Sequence, residues 1–195
     1  MELPLPASQQ TAAVIEVIGA DAAGLDRLPV HLQDLLLGAA LIAAPKRLGA
    51  DVARWLAERQ LTADLISSDQ PQPLLEQLQQ ALQREQRCVV LASGDPLWFG
   101  IGRLLLERFG AERLRIHPAP SALQLAFARI GRPWQDASWI SLHGRDPEPL
   151  AARLQQRPPA LAVLTDPNRG GAEAVRTVLR ASGLEAAYAV WLCER

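Results

Sequence analysis

Residues 88–100 read Cys88-Val-Val-Leu-Ala-Ser-Gly-Asp-Pro-Leu-Trp-Phe-Gly100, and the architecture follows from them. Cys88 to Ala92 is a short apolar run rich in β-branched residues, suited to a strand buried on both faces. It stops at Ser93-Gly94-Asp95-Pro96, a turn made of strong backbone punctuators. Apolar residues then resume at Ile101, Leu104, Leu105 and Phe109, the spacing of one helix face. A strand that ends in a Gly-Asp-Pro loop and feeds a helix places backbone and a carboxylate at the carboxyl edge of a parallel sheet. Ligands of open α/β folds bind at that edge.

On either side of this run, strands and helices alternate. Val14 to Ile18 reads as a first strand, followed by a loop from Gly19 to Asp26, a helix at His31 to Gly38 and a strand at Leu41 to Ala44. Ala50 to Arg59 and Pro73 to Arg84 are amphipathic: Val52, Trp55 and Leu56 share one face, and Leu74, Leu75, Leu78 and Leu82 another. Leu114 to His117 is a further strand. The prolines Pro118 and Pro120 then exclude both a helix and a central strand, and a domain boundary is placed at Pro118, giving domains at 14–117 and 118–195. In the second, helices are expected at Ala122–Ile130, Glu148–Gln155 and Ala172–Ala181, and strands at Ser138–Leu142, Ala160–Leu164 and Ala187–Cys193. The alternation predicts an α/β fold with a mainly parallel sheet and helices on both faces.

Bulk properties narrow the function. The 195 residues carry a net charge of -1 with no basic patch, which argues against nucleic acid and anionic membranes as partners. No apolar stretch reaches the ~18 residues of a spanning helix. Residues 1–13, rich in Pro and Gln, lack the basic start and apolar run of a secretory signal and are expected to be a flexible leader. Cys88 and Cys193 both fall in strand-like runs and read as buried thiols of a reducing, cytoplasmic compartment. Neither has a Cys or His neighbour at metal-ligand spacing, so no metal site is expected.

The longer string Ala92-Ser-Gly-Asp-Pro-Leu-Trp-Phe-Gly-Ile-Gly-Arg-Leu-Leu105 resembles a motif of the tetrapyrrole (corrin/porphyrin) methyltransferase family. Pro120 to Ala137 and Ser141-Leu-His-Gly-Arg145 resemble that family's precorrin-6Y/precorrin-7 C-5 methyltransferase branch, and weaker similarity runs from Val14 to Arg195. The resemblance implies two α/β/α domains with a cleft between them, S-adenosylmethionine as cofactor, and C-methylation of a corrin precursor in cobalamin biosynthesis. It also implies a homodimer and, in some relatives, fusion to a C-15 methyltransferase and decarboxylase domain. The family's pattern continues past Arg195, so the second domain is expected to be incomplete at its C-terminal end.

Methyl transfer from a sulfonium needs alignment more than acid–base machinery, and alignment is worth about 7–11 kcal/mol at best. The expected site is therefore a shaped surface of backbone groups. Ser121, His143 and Asp166 do not suggest a hydrolase, because no Gly-x-Ser-x-Gly elbow is present. The resemblance assigns cofactor contacts to Gly94, Asp95, Leu97, Ser121, Ala122, Leu123, Thr165 and Asp166. Asp95 and Ser121 have a second reading as helix caps. Substrate contacts fall to Arg145, His143, Arg47 and Gly19. An arginine fork suits the carboxylates of a corrin precursor, and His143 is also the candidate for proton transfer. Lys46 and Arg169 have either that role or an ordinary solvated one.

The first loop departs from the family's glycine-rich turn: Gly19-Ala-Asp21-Ala-Ala-Gly24 has Asp21 in place of a glycine. That brings negative charge towards a polyanionic substrate and keeps two alternatives open, a methyltransferase on another tetrapyrrole and a non-catalytic module that binds the cofactor or a corrinoid. A nucleotide-dependent oxidoreductase is disfavoured, because no acidic residue follows the loop at the ribose-reading distance.

Overall fold

The computed structural model describes residues 14–21, 24–143 and 148–194. The expected leader and the candidate Arg145 lie outside the described residues. The chain divides into two compact units, Met1–Ser121 and Ala122–Arg195.

The first unit alternates strictly. It comprises β1 (Ile15–Ala20), α1 (Val30–Leu37), β2 (Leu41–Ala44), α2 (Lys46–Glu58), β3 (Asp64–Ser67), α3 (Pro71–Gln83), β4 (Cys88–Ser93), α4 (Gly102–Phe109) and β5 (Leu114–His117). The five strands form a parallel sheet in the order β3-β2-β4-β1-β5. The continuous apolar runs predicted such a two-sided strand set, and the two cores show it. Ile15, Val17, Leu41, Ala43, Cys88 and Val90 face α3 and α4. Ile18, Ile42, Ala44, Val89 and Leu91 face α1 and α2. Each fully buried Val, Leu or Ile of this kind contributes about 1.5–3 kcal/mol.

One polar residue interrupts β1. Glu16 is buried, with Oε2 2.7 Å from Nε2 of His117 and Oε1 accepting from Nη1 of Arg115 at 3.4 Å. A buried charge stripped of its partner costs ~3–5 kcal/mol, so these contacts are what allows a carboxylate in the strand. The loop after β1 is also tied down. Oδ1 of Asp26 accepts from Nε1 of Trp55 at 3.0 Å and from Nη2 of Arg59 at 2.7 Å. The Arg59 guanidinium in turn lies 4.2 Å from the Trp55 ring centroid.

The second unit contains α5 (Ala122–Ile130), β6 (Ala137–Ser141), α6 (Glu148–Gln155), β7 (Ala160–Leu164) and α7 (Gly171–Ala181). β6 and β7 form a parallel pair, with Leu142, Leu150, Leu154, Leu179 and Leu184 as the core on one side.

Two expectations fail. The run Ala187–Cys193 is not a strand: a 3-10 turn spans Glu185–Ala187 and the residues after it join no sheet among those described. Its apolar character gave the strand signal, but a strand needs a ladder partner, and Val190, Trp191 and Leu192 stand 65–71% exposed. Cys193 is consequently exposed rather than buried, whereas Cys88 is buried as expected. The short strand β3 was not anticipated.

Candidate functional site

The order of the first sheet locates a site before any side chain is considered. From β1 the chain crosses by α1, on one face, to β2. From β4 it crosses by α4, on the other face, to β5. The neighbours β1 and β4 therefore send their connections in opposite directions, and it is beyond the carboxyl ends of strands at such a switch point that open α/β sheets bind their ligands.

Three backbone segments meet there. The Gly94 N–H donates to the carbonyl of Ala20 at 2.9 Å, and the Ala119 N–H donates to the carbonyl of Gly94 at 3.4 Å. Gly19 lies under both: a Cβ on it would run into the Gly94 carbonyl and the Ala119 nitrogen. Gly94 has φ 66°, the left-handed conformation that glycine adopts without steric cost. The ends of β1 and β4 and the segment after β5 thus form one close-packed backbone surface.

The loop that follows carries its own turn. Oδ1 of Asp95 accepts from the Leu97 N–H at 2.8 Å and the Trp98 N–H donates to the Asp95 carbonyl at 3.1 Å. Asp95 is therefore not the cap of α4, which begins seven residues later at Gly102; its carboxylate shapes the loop itself. Gly102 donates to the Pro96 carbonyl at 2.9 Å, and side chains at Gly100 or Gly102 would collide with that carbonyl. Leu97 and Phe99 are about half exposed, and the rings of Trp98 and Phe99 meet edge to face at 5.1 Å. Phe99, with φ 52°, holds a strained conformation of the kind found at ligand-binding loops.

Arg47 lies in the first turn of α2, after the carboxyl end of β2, and is exposed. The neighbouring Lys46 N–H donates to Oδ2 of Asp69 at 3.0 Å. Asp21 is exposed just past β1. At the end of this unit Ser121 is buried.

The second unit repeats the logic in small. Leu142 N–H donates to the Leu164 carbonyl at 2.8 Å, so the chain leaves both strands side by side. Nδ1 of His143 lies 3.9 Å from Oδ2 of Asp166, an exposed imidazole beside a buried carboxylate. Oδ1 of Asp166 accepts from the Asn168 N–H at 3.0 Å, and its carbonyl accepts from Gly171 at 2.9 Å. Thr165, Asp166 and His143 are thus brought to one edge. In α5, Ala122 is exposed and Leu123 buried. Sequence reasoning missed the Glu16–His117 pair and the part played by Ala119; the only local hint was a carboxylate inside an apolar strand. Among the described residues, no group of three or more His, Cys, Asp or Glu could hold a metal ion. No described helix is long and apolar enough to cross a membrane.

The sequence model of the Tetrapyrrole (Corrin/Porphyrin) Methylases matches residues 14–195. The chain is 48% identical over 65 residues to a cobalt-precorrin-7 C(5)-methyltransferase of Salmonella typhimurium, covering 33% of this chain and 32% of that protein. It is 33% identical over 170 residues to a precorrin-6Y C(5,15)-methyltransferase [decarboxylating] of Mycobacterium tuberculosis, covering 80% of this chain and 41% of that one. The chain spans less than half the length of the curated relatives it matches. Among solved structures, the methyltransferase CobJ superimposes with a TM-score of 0.68 over 87% of this chain and 76% of that one, at 23% identity. At that identity the likeness speaks for the fold.

Proposed function

The chain belongs to the tetrapyrrole (corrin/porphyrin) methylase family, and on that premise we propose that it is an S-adenosylmethionine-dependent C-methyltransferase acting at C-5 of precorrin-6Y or precorrin-7 in cobalamin biosynthesis. The observation that carries the reading is the backbone surface formed by Gly19, Gly94 and Ala119 at the switch point of the sheet. It supports a cofactor held by main-chain groups, as methyl transfer by alignment requires. The names of the Salmonella and Mycobacterium relatives support the choice of substrate.

In this reading Gly94, Asp95 and Leu97 hold the cofactor from the first unit. Gly94 sets the direction of the peptide, Asp95 fixes the loop through the Leu97 amide, and Leu97 offers an apolar contact. The cofactor supplies an electrophilic methyl group. Ser121, Ala122, Leu123, Thr165 and Asp166 have the same cofactor role by resemblance. His143 and Arg145 face the substrate, His143 near the carboxylate of Asp166 and Arg145 pairing with a peripheral carboxylate. Arg47 completes the proposed substrate set; Gly19, which the resemblance also gave to the substrate, is buried beneath Gly94 and Ala119 and belongs instead to the backbone surface. We further propose that the protein acts in the cytoplasm as a homodimer and works beside a C-15 methylating and decarboxylating activity.

Calorimetric titration of S-adenosylmethionine and of precorrin-7, with mass-spectrometric detection of a product heavier by one methylene, tests this. Binding of both with turnover is expected. Binding of S-adenosylmethionine without turnover of any corrinoid would move the protein to another acceptor or to a binding role.

A further inference from the structure

The pair formed by buried Glu16 and half-buried His117 has no part in the methyl-transfer chemistry, yet it is joined to the site by a short circuit of contacts. β5 is an edge strand of four residues whose only ladder partner among the described residues is β1. Its last residue is His117, and Pro118-Ala119-Pro120 follows at once. Two prolines fix two of the three φ angles there, so this segment follows the position of His117 closely. Ala119 in turn donates to Gly94, Gly94 donates to Ala20, and Gly19 packs beneath both Gly94 and Ala119. The circuit leaves β1 at Glu16 and returns to β1 at Gly19 and Ala20. The 2.7 Å hydrogen bond between Glu16 and His117 is its only side-chain step. With Glu16 ionised, Nε2 of His117 is the donor, and Arg115 occupies the other carboxylate oxygen.

We propose that Glu16 and His117 are positioning residues: their hydrogen bond fixes the end of β5 and so sets Ala119 against Gly94, in the geometry that receives the methyl donor. The identity of that ligand rests on the reading above; the coupling between the pair and Gly94 does not.

The test uses the whole chain and two readouts, amide resonances of Gly19 and Gly94 by 15N NMR and the affinity of S-adenosylhomocysteine by calorimetry. In His117→Leu the Gly19 and Gly94 resonances should move, and affinity should fall by at least about tenfold, ~1.4 kcal/mol. His117→Gln keeps an N–H donor and should restore most of the affinity. A single change that strands the Glu16 charge risks unfolding. The double variant Glu16→Leu/His117→Leu avoids this, because replacing both partners of a hydrogen bond by apolar side chains can be nearly neutral or stabilising. It should melt no lower than the parent protein and still bind weakly, a combination that a merely structural pair would not give. A double variant with parental affinity and an unmoved Gly94 resonance overturns the proposal. If the parent protein binds no S-adenosylhomocysteine while Gly94 still moves in the double variant, the cofactor reading falls and the coupling stands.

Discussion

Gly19 lies so close beneath the carbonyl of Gly94 that not even a methyl group fits between β1 and β4 at their carboxyl ends. Gly19→Ala should therefore cost about 1–3 kcal/mol of stability, the usual range for overpacking a well-filled site. Urea unfolding measures it, and a loss below a few tenths would mean that the strand ends are looser than described. Affinity for S-adenosylhomocysteine should drop in the same variant.

Gly94 is constrained by its backbone. At φ 66°, Gly94→Ala should destabilise by ~1–2 kcal/mol, the cost of the left-handed region to an L-residue. Gly94→Val should lose more and should also fail to bind S-adenosylmethionine. Parental melting temperature and parental affinity together would remove this loop from the site.

Asp95 is expected to act through shape. Its Oδ1 accepts from the Leu97 amide, a bond that asparagine can reproduce and alanine cannot. Asp95→Asn should keep cofactor affinity near that of the parent, while Asp95→Ala should lose roughly 0.5–1.5 kcal/mol, the net worth of one hydrogen bond. Equal losses in both variants would show instead that the charge itself meets the ligand.

On the proposed reading Arg145 meets the substrate. Arg145→Ala should weaken corrin-precursor binding by about 1.5–3 kcal/mol, the scale of a charge-assisted hydrogen bond, and leave S-adenosylmethionine binding unchanged. Lysine should recover only part, having no second parallel donor. Loss of cofactor binding in the alanine variant would place the residue on the other side of the chemistry.

The two cysteines should behave oppositely. Burial pushes the Cys88 thiol from its ordinary 9.0 to about 11, whereas Cys193 is exposed. Ellman's reagent at pH 8 should find one thiol in the native protein and two in denaturant. Because the folded state keeps the Cys88 proton longer than the unfolded one, this contribution to stability is whole below pH 9.0 and lost between pH 9.0 and about 11. Its slope is at most ~1.4 kcal/mol per pH unit. Cys88→Ala should flatten that part of the stability profile.

The sequence was most legible where structure is local. The β-branched run Cys88–Ala92, the Gly-Asp-Pro turn and the one-sided helices read at Ala50–Arg59 and Pro73–Arg84, which begin in the structure at Lys46 and Pro71, each carry their signal within a dozen residues. β3 escaped because Asp64-Leu-Ile-Ser67 is a four-residue edge strand, half polar and partly exposed, with little to separate it from a loop. The segment after Ala187 misled for the converse reason: apolar residues announce a strand, but a ladder requires a neighbour that one-dimensional patterning does not reveal. The site divides in the same way. The turn at Gly94 and Asp95, and its place at the end of a strand, were visible from the residues themselves, while their cofactor role rests on the resemblance. The convergence of Gly19, Gly94 and Ala119, like the reach of Glu16 to His117, depends on pairings between distant parts of the chain. The juxtaposition of His143 with Asp166 arises from the parallel register of β6 and β7.

That register of distant partners also shapes how the protein comes into being. Among the described residues Ile15 pairs with Cys88 and Leu114, so the first strand of this sheet in chain order must wait for the last two. Until about residue 93 has emerged, this mostly apolar hexapeptide has both edges open in the nascent chain, and one edge stays open until about residue 117. Non-local parallel pairing of this kind folds slowly and is prone to association on the way. Recovery from dilute refolding should therefore fall as protein concentration rises, with β1 as the segment most in need of a chaperone's cover.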